Sequence, residues 1–307
     1  MLNVLSQSIG RAAARDPESL PDLRHAAGLF IGSDYAGESP LVHFDAVTFI
    51  IADIRNLRPW AEARVRVRSR YLANGRRMAY SRLSDVHRSE ALIPFLRAAD
   101  SIPGLLASFL IDKRLGRVFT RSGRPAAGTM PEFASWRRNT RERLLRALHF
   151  AGVLLAGLSM PGQDVVWITD NDAIVPNVER LTEATQLAAA VVSLYLPHSL
   201  GNLRFGTSNT DPGDQQIEDI LSLPDLVSGT LVDAFTALRR QQVFPTRAVG
   251  VAFPDGLPEK PRTVLRWLAD GEYGRPLKRL IYTMERGHKP GKVIFSDIRF
   301  SGPGLIQ

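Results

Sequence analysis

The chain contains no cysteine, which excludes disulfides, thiolate zinc sites, iron–sulfur clusters and cysteine nucleophiles together. Histidine is scarce at six residues, and no two of them stand at helical or ribbon ligand spacing, which argues against zinc. Long apolar runs are also missing. The most apolar stretches, Ala151 to Met160 and Gln186 to Leu196, fall well short of the roughly 20 residues that a membrane helix needs. Met1 to Arg15 lacks the apolar core and small-residue cleavage site of a secretory signal. There is no Gly-x-Ser-x-Gly elbow and no Gly-x-Gly-x-x-Gly loop. Gly287-His288-Lys289-Pro290-Gly291-Lys292 is one residue short of a phosphate loop and lacks the following Ser/Thr. The expectation is a soluble, cytoplasmic protein with no membrane partner, whose chemistry rests on oxygen ligands.

What is present is arginine. The 307 residues carry a net charge of +8, and 34 of the 39 basic residues are Arg. The charge is clustered: Arg55–Arg88 sums to +8, Lys113–Arg146 to +8 and Arg275–Lys292 to +5, so the remainder of the chain carries −13. Basic surfaces beside an acidic remainder suit a polyanion, DNA or RNA, held across a site built from carboxylates. Solvated helix faces rich in Arg would produce the same counts, and charge alone does not separate the two. Arg64, Arg66, Arg68, Arg70, Arg76 and Arg77 are the candidate phosphate-backbone contacts. The alternation from Arg64 to Arg70 fits an extended edge as readily as a helix. Trp60, Trp136, Trp167 and Trp267 could stack on bases, although Trp136 and Trp167 fall at core-facing positions.

Apolar content of 44% supports a sizeable core. Periodicity predicts a helix over Leu2–Arg15, strands over Ala27–Gly32 and Val47–Ile54, and helices over Pro59–Ala73 and Ser84–Ala99. A third strand follows at Leu105–Asp112, with a continuation at Arg117–Thr120. Then come a long helix from Phe133 to Leu155, a strand at Asp164–Thr169 and a helix at Asn177–Tyr195. A strand at Leu200–Phe205 and a helix at Gln215–Arg240, bent or restarted at Pro224, complete the pattern. Three early strands followed by alternating helices and strands is the RNase H-like order. The expected fold class is therefore α/β, with a mixed five-stranded sheet flanked by helices. Residues 1–26 read as an N-terminal helix and 27–240 as the main domain, with an arginine-rich helical insertion at 55–100. Residues 241–307, with strand-like runs at Arg279–Tyr282 and Lys292–Phe300, read as a small C-terminal extension or subdomain, a place for a protein partner or a second copy of the chain.

Acids fall at the ends of these elements. Asp34 closes the first strand, Asp112 the third, and Asp170 with Asp172 the fourth; Asp225 lies in the last helix. In an RNase H-like sheet the first and fourth strands are neighbours and the last helix packs beside them, so Asp34, Asp170 and Asp225 would converge. Convergent carboxylates repel unless a hard cation offsets the cost, and oxygen ligands suit Mg²⁺ or Mn²⁺. Two such ions can activate water and stabilise the leaving oxygen of a phosphodiester. Each acid also has a plainer role: Asp34 as a turn residue, Asp170 or Asp172 as a helix cap, Asp225 as a favourable charge near a helix start, and Asp112 beside Lys113 as a strand-end ion pair.

Asp34-Tyr35-Ala36-Gly37-Glu38 resembles the Asp-Glu-Ser-Gly-Asp opening of an RNase H-like family known as domain of unknown function 3800. Phe109-Leu110-Ile111-Asp112-Lys113 is similar to that family's third-strand segment. Leu223-Pro224-Asp225-Leu226-Val227-Ser228-Gly229 resembles its closing Gln-x-Ala-Asp-Leu-x-Ala-Gly helix. The resemblance spans about Ala27 to Arg240. It implies a metal-dependent nuclease-like site with Asp34, Asp170 and Asp225 as its core and Glu38 as a further acid, in a family linked to mobile elements and defence. Tyr35 stands where the family has glutamate, which would remove one ligand or base. The expected function is a nuclease using Mg²⁺ or Mn²⁺ in a two-metal site, with Asp172 or Glu38 positioning water and Asp112 and Lys113 as additional candidates. The alternative is a weakened binding subunit on the same fold.

Overall fold

The computed structural model describes residues 2–120, 136–169, 177–208, 213–242, 250–270, 274–287 and 292–301 of the chain. Among these residues seven strands form one mixed sheet: β1 (Gly28–Ala36), β2 (Phe44–Asp53), β3 (Gly104–Asp112), β4 (Asp164–Thr169), β5 (Leu203–Thr207), β7 (Leu277–Arg286) and β8 (Val293–Asp297). The short strands β6 (Val251–Ala252) and β9 (Phe300–Ser301) pair with each other. The sheet runs β5-β4-β1-β2-β3-β7-β8. β2 is antiparallel to both neighbours, whereas β4 is parallel to β1 and β5 to β4. That order, with only the second of the first five strands reversed, is the RNase H-like fold.

Among the described residues, seven helices cover the sheet: α1 (Leu2–Arg15), α2 (Arg58–Tyr71), α3 (Val86–Ala99), α4 (Arg138–Leu158), α5 (Val178–Ser193), α6 (Gln216–Arg240) and α7 (Glu259–Ala269). Strand alternation sorts the core into two layers. Leu29 and Ile31 pack against α1, α4 and α5, while Phe30 faces the layer of α2, α3, α6 and α7. Asp85 caps α3 by accepting from the Arg88 amide at 3.2 Å, and Asn177 caps α5 by accepting from the Arg180 amide at 2.9 Å. α6 is long and apolar enough to cross a bilayer, yet its apolar stretch is buried against the sheet.

Four expectations are corrected. The sheet has seven strands because β7 pairs in parallel with β3 and β8 adds beyond it, so the C-terminal stretch completes the sheet and core instead of extending from them. α7, hidden in sequence by flanking Gly and Pro, buries Val264, Leu265, Trp267 and Leu268; its Pro261 sits in the first turn, where proline is tolerated. Arg117–Thr120 is not a strand. The Glu142 carboxylate takes the amides of Val118, Phe119 and Thr120, leaving none of the three for a sheet ladder. Finally, α6 passes through Pro224 as one helix.

Candidate functional site

The site begins where α6 crosses β1. A Cβ at Gly32 would stand 2.9 Å from Leu221 Cδ2 and 2.9 Å from Ile50 Cγ2, so glycine permits the close crossing. Two residues on, and therefore on the same face, lies Asp34. It sits inside β1, which continues to Ala36, and not at the strand's end as its turn-like neighbours suggest. The buried Ser228 hydroxyl of α6 donates to Asp34 Oδ2 at 2.6 Å and also approaches Asp225 O at 3.2 Å. Asp225 precedes Ser228 by one helical turn, about 5 Å of rise. Its Oδ2 accepts from the Tyr80 amide at 2.7 Å. Two half-buried acids, 191 positions apart in the chain, thus meet at Ser228, whose hydroxyl bonds the Asp34 carboxylate and approaches the main-chain carbonyl, not the carboxylate, of Asp225.

β4 supplies the neighbouring edge. Its last residue, Thr169, stands opposite Ser33, the residue before Asp34. Asp170 and Asp172 lie outside the described residues. Position 35 is on the other face of the sheet: the Tyr35 hydroxyl lies 3.4 Å from Ser33 Oγ, in the layer of α4 and α5. An acid at 35 would point away from Asp34, so the Tyr35 replacement takes no ligand from this face.

Glu38 does not join the pair. Gly37, at φ +104°, redirects the chain after β1, and a Cβ there would lie 2.4 Å from Phe44 O. Glu38 is consequently exposed and paired with Arg143 of α4, on the opposite layer from α6. Asp112 is also elsewhere. Asp34 stands level with Thr48 and Ser108, whereas Asp112 is two strands over and four residues further along β3, roughly 10 Å across and 13 Å along. It is buried and bound by Arg114 and, at 2.8 Å, by Arg239 of α6. Burial raises its carboxyl, but the Arg114 side chain and amide outweigh this, and with Arg239 they hold it below its usual range. Lys113 donates to Ser39 O at 2.6 Å, and burial lowers its pKa. Asp112 is an ion-paired residue, as its plainer reading expects, but its partners are Arg114 and Arg239 and not the adjacent Lys113.

The arginine row lies on a helix, α2, and a helix separates alternate residues. Arg64 and Arg68, one turn apart, point inward onto the fully buried Asp219 of α6, at 3.0 and 2.6 Å. They tie two helices together and are not surface contacts. Arg76 pairs with Asp85, and Arg77 lies 3.7 Å from Glu218. Arg66 and Arg70, also one turn apart, occupy the solvent face, with the Arg70 guanidinium 5.3 Å from the Tyr71 ring centre. All four tryptophans are buried, so none offers a stacking platform. His149 is half-buried and partnered within the fold: it bonds the Tyr195 hydroxyl at 2.5 Å, and burial lowers its pKa to about 4.

Two residues at the site were missed in sequence, Ser228 and Tyr80. The signal available was the stripe Asp225, Gly229, Asp233 along α6. The Tyr80 ring lies over Gly229 and its hydroxyl donates to Asp233 Oδ2 at 2.5 Å. Burial, then the Asp233 bond, raise the phenol pKa, so it remains a donor.

Among the described residues no three His, Asp or Glu side chains form a metal-binding group. The described donors are two carboxylates and one hydroxyl, all hard oxygens, the donor type that suits Mg²⁺ or Mn²⁺. No family model matches the chain, and no curated protein matches its sequence. Among solved structures it is similar to the crystal structure of the ribonuclease H2 from Pyrococcus horikoshii OT3, at 12% identity and a TM-score of 0.38 over 79% of this chain and 86% of that one.

Proposed function

We propose that the protein is a divalent-metal-dependent, nuclease-like enzyme acting on nucleic-acid phosphodiesters. The observation that carries this reading is the placement of Asp34 on β1 against the Asp225–Ser228 turn of α6, where Ser228 donates to Asp34 Oδ2, beside the end of β4. Asp34 and Asp225 would hold the cation, and Asp170 and Asp172, which follow β4 in sequence, would complete its shell. A bound Mg²⁺ or Mn²⁺ would polarise a phosphoryl oxygen and lower the pKa of a water. The protein's own part is orientation: Ser228 fixes one oxygen of Asp34, and the Tyr80 amide fixes one of Asp225. Arg66, Arg70 and Arg77, on and beside α2, would hold the phosphate backbone, as charge and exposure allow. The resemblance to domain of unknown function 3800 supports the same assignment.

One observation favours the second reading, a nucleic-acid-binding protein with a weakened site. Ser228 and Tyr80 already satisfy an oxygen of each carboxylate, as a site without a cation would require. Cleavage of labelled single-stranded and duplex DNA and RNA with Mn²⁺ or Mg²⁺, in wild type and Asp34→Asn, separates the two. Metal-dependent cutting that drops by more than about 100-fold in the variant, beyond the loss typical of a supporting residue, is the expected result. Binding without cutting, across all substrates and both ions, would leave only the binding reading.

A further inference from the structure

The segment between α2 and α3 is moored to α6 on both sides of Asp225. Before it, Arg77 lies 3.7 Å from Glu218, and the Ser222 hydroxyl donates to Met78 O at 2.8 Å. At and beyond it, Tyr80 touches three successive turns: its amide donates to Asp225, its ring covers Gly229 and its hydroxyl donates to Asp233. A Cβ at Gly229 would lie 2.2 Å from Cδ1 of that ring, so only glycine leaves room for it. The ring and hydroxyl hold the Tyr80 backbone in place, and the amide aims at a carboxylate oxygen with the strength of a charge-assisted bond.

We propose that Tyr80 is a positioning residue of the carboxylate site, setting the orientation of Asp225 toward a divalent cation through its backbone amide. The arginine-bearing insertion and the cation site then form one unit. This rests on the proposed function, because it takes Asp225 to be a metal ligand. Groups that orient metal ligands change affinity 10–100-fold when removed, and a backbone donor is no exception in principle.

Two substitutions isolate the amide. Tyr80→Ala and Tyr80→Pro both remove the ring and hydroxyl, but only proline removes the N–H. Tyr80 opens a 3-10 turn after extended Ala79 (φ −157°, ψ 138°), a setting that accepts proline. Gly229→Ala reaches the same contact from the helix side, raising helix propensity while displacing the ring. The measurement is the Mn²⁺ dissociation constant of the full chain by titration calorimetry, with urea midpoints recorded for each variant. Wild type is expected to bind Mn²⁺, Asp225→Asn to lose binding, and Tyr80→Pro to bind about 10–100-fold more weakly than Tyr80→Ala. Equal affinities in those two variants beside a tightly binding wild type would overturn the inference and leave the proposed function standing. Tyr80 would then only dock the insertion. A wild type that binds no Mn²⁺ overturns both. Should Tyr80→Pro not fold, Gly229→Ala decides: weakened Mn²⁺ binding supports the inference and unchanged binding overturns it.

Discussion

Replacing Glu285 by glutamine should stabilise the protein by an amount that grows as pH rises from about 4.5 to about 7 and levels off above that. Glu285 lies on β7 next to Asp112 on β3, since Ile111 and Met284 are partners in the parallel register just before them. It is 8% exposed, and its Oε1 has no hydrogen-bond partner among the described residues. Burial pushes its carboxyl up to about 7; Arg239 pulls against this and the negative Asp112 adds to it. In the unfolded chain the same group titrates near its ordinary value of 4.5. Between those two pH values the native state holds a proton that the unfolded state has released. The protonated carboxyl's contribution is therefore complete below about 4.5 and is lost as pH rises through about 7. A difference of about 2.5 units corresponds to roughly 3 kcal/mol. Glutamine keeps the shape of the neutral acid and does not titrate, so Glu285→Gln should match wild type near pH 4.5 and exceed it by about 3 kcal/mol at pH 8. Urea unfolding at half-unit pH steps measures the difference. His149, lowered by burial to about 4, contributes the opposite slope, stability lost as pH falls from about 6.5. It does so equally in both proteins and cancels. A stability difference that is constant from pH 5 to 8 would refute the placement of Glu285 in a buried, carboxylate-facing environment.

Asp219→Ala should cost about 3–5 kcal/mol in urea unfolding, because it leaves two inward-facing arginines, Arg64 and Arg68, without their buried partner; a loss below about 1 kcal/mol would contradict that geometry. Arg66→Ala with Arg70→Ala should change stability by less than about 0.5 kcal/mol. If these residues meet phosphates, the same pair should reduce the salt slope of nucleic-acid binding by about two, read by fluorescence anisotropy at several salt concentrations. An unchanged slope would remove α2 from the interface. Gly32→Ala should destabilise by about 1–3 kcal/mol through overpacking between Leu221 and Ile50. A thermal midpoint equal to wild type would show that α6 does not cross β1 as closely as described.

The elements themselves were legible in sequence because their signals are local. Apolar spacing marks α1 at Leu2–Arg15 and β4 at Asp164–Thr169 with the observed bounds, and the order of strands and helices points to the RNase H-like sheet. Asp34 and Asp225 could be singled out for the same reason, as acids at fixed places in that order. The faces of those elements were not legible. Which arginines of α2 meet solvent depends on Asp219, 155 positions from Arg64, and no pattern within α2 distinguishes an inward Arg64 from an outward Arg66. Glu38 reads as a neighbour of Asp34 until the left-handed Gly37 turns it toward Arg143. The Gly/Pro-rich stretch after Arg240 carries strand-like runs at Arg279–Tyr282 and Lys292–Phe300, but nothing local in them announces that β7 will pair with β3. The sequence by itself determined most of where the chain is helical or extended, α7 and Arg117–Thr120 aside, and which acids could meet. Tertiary structure alone decided which charges are partnered, which face water and which carboxylates share a face, because those depend on groups brought together from distant parts of the chain.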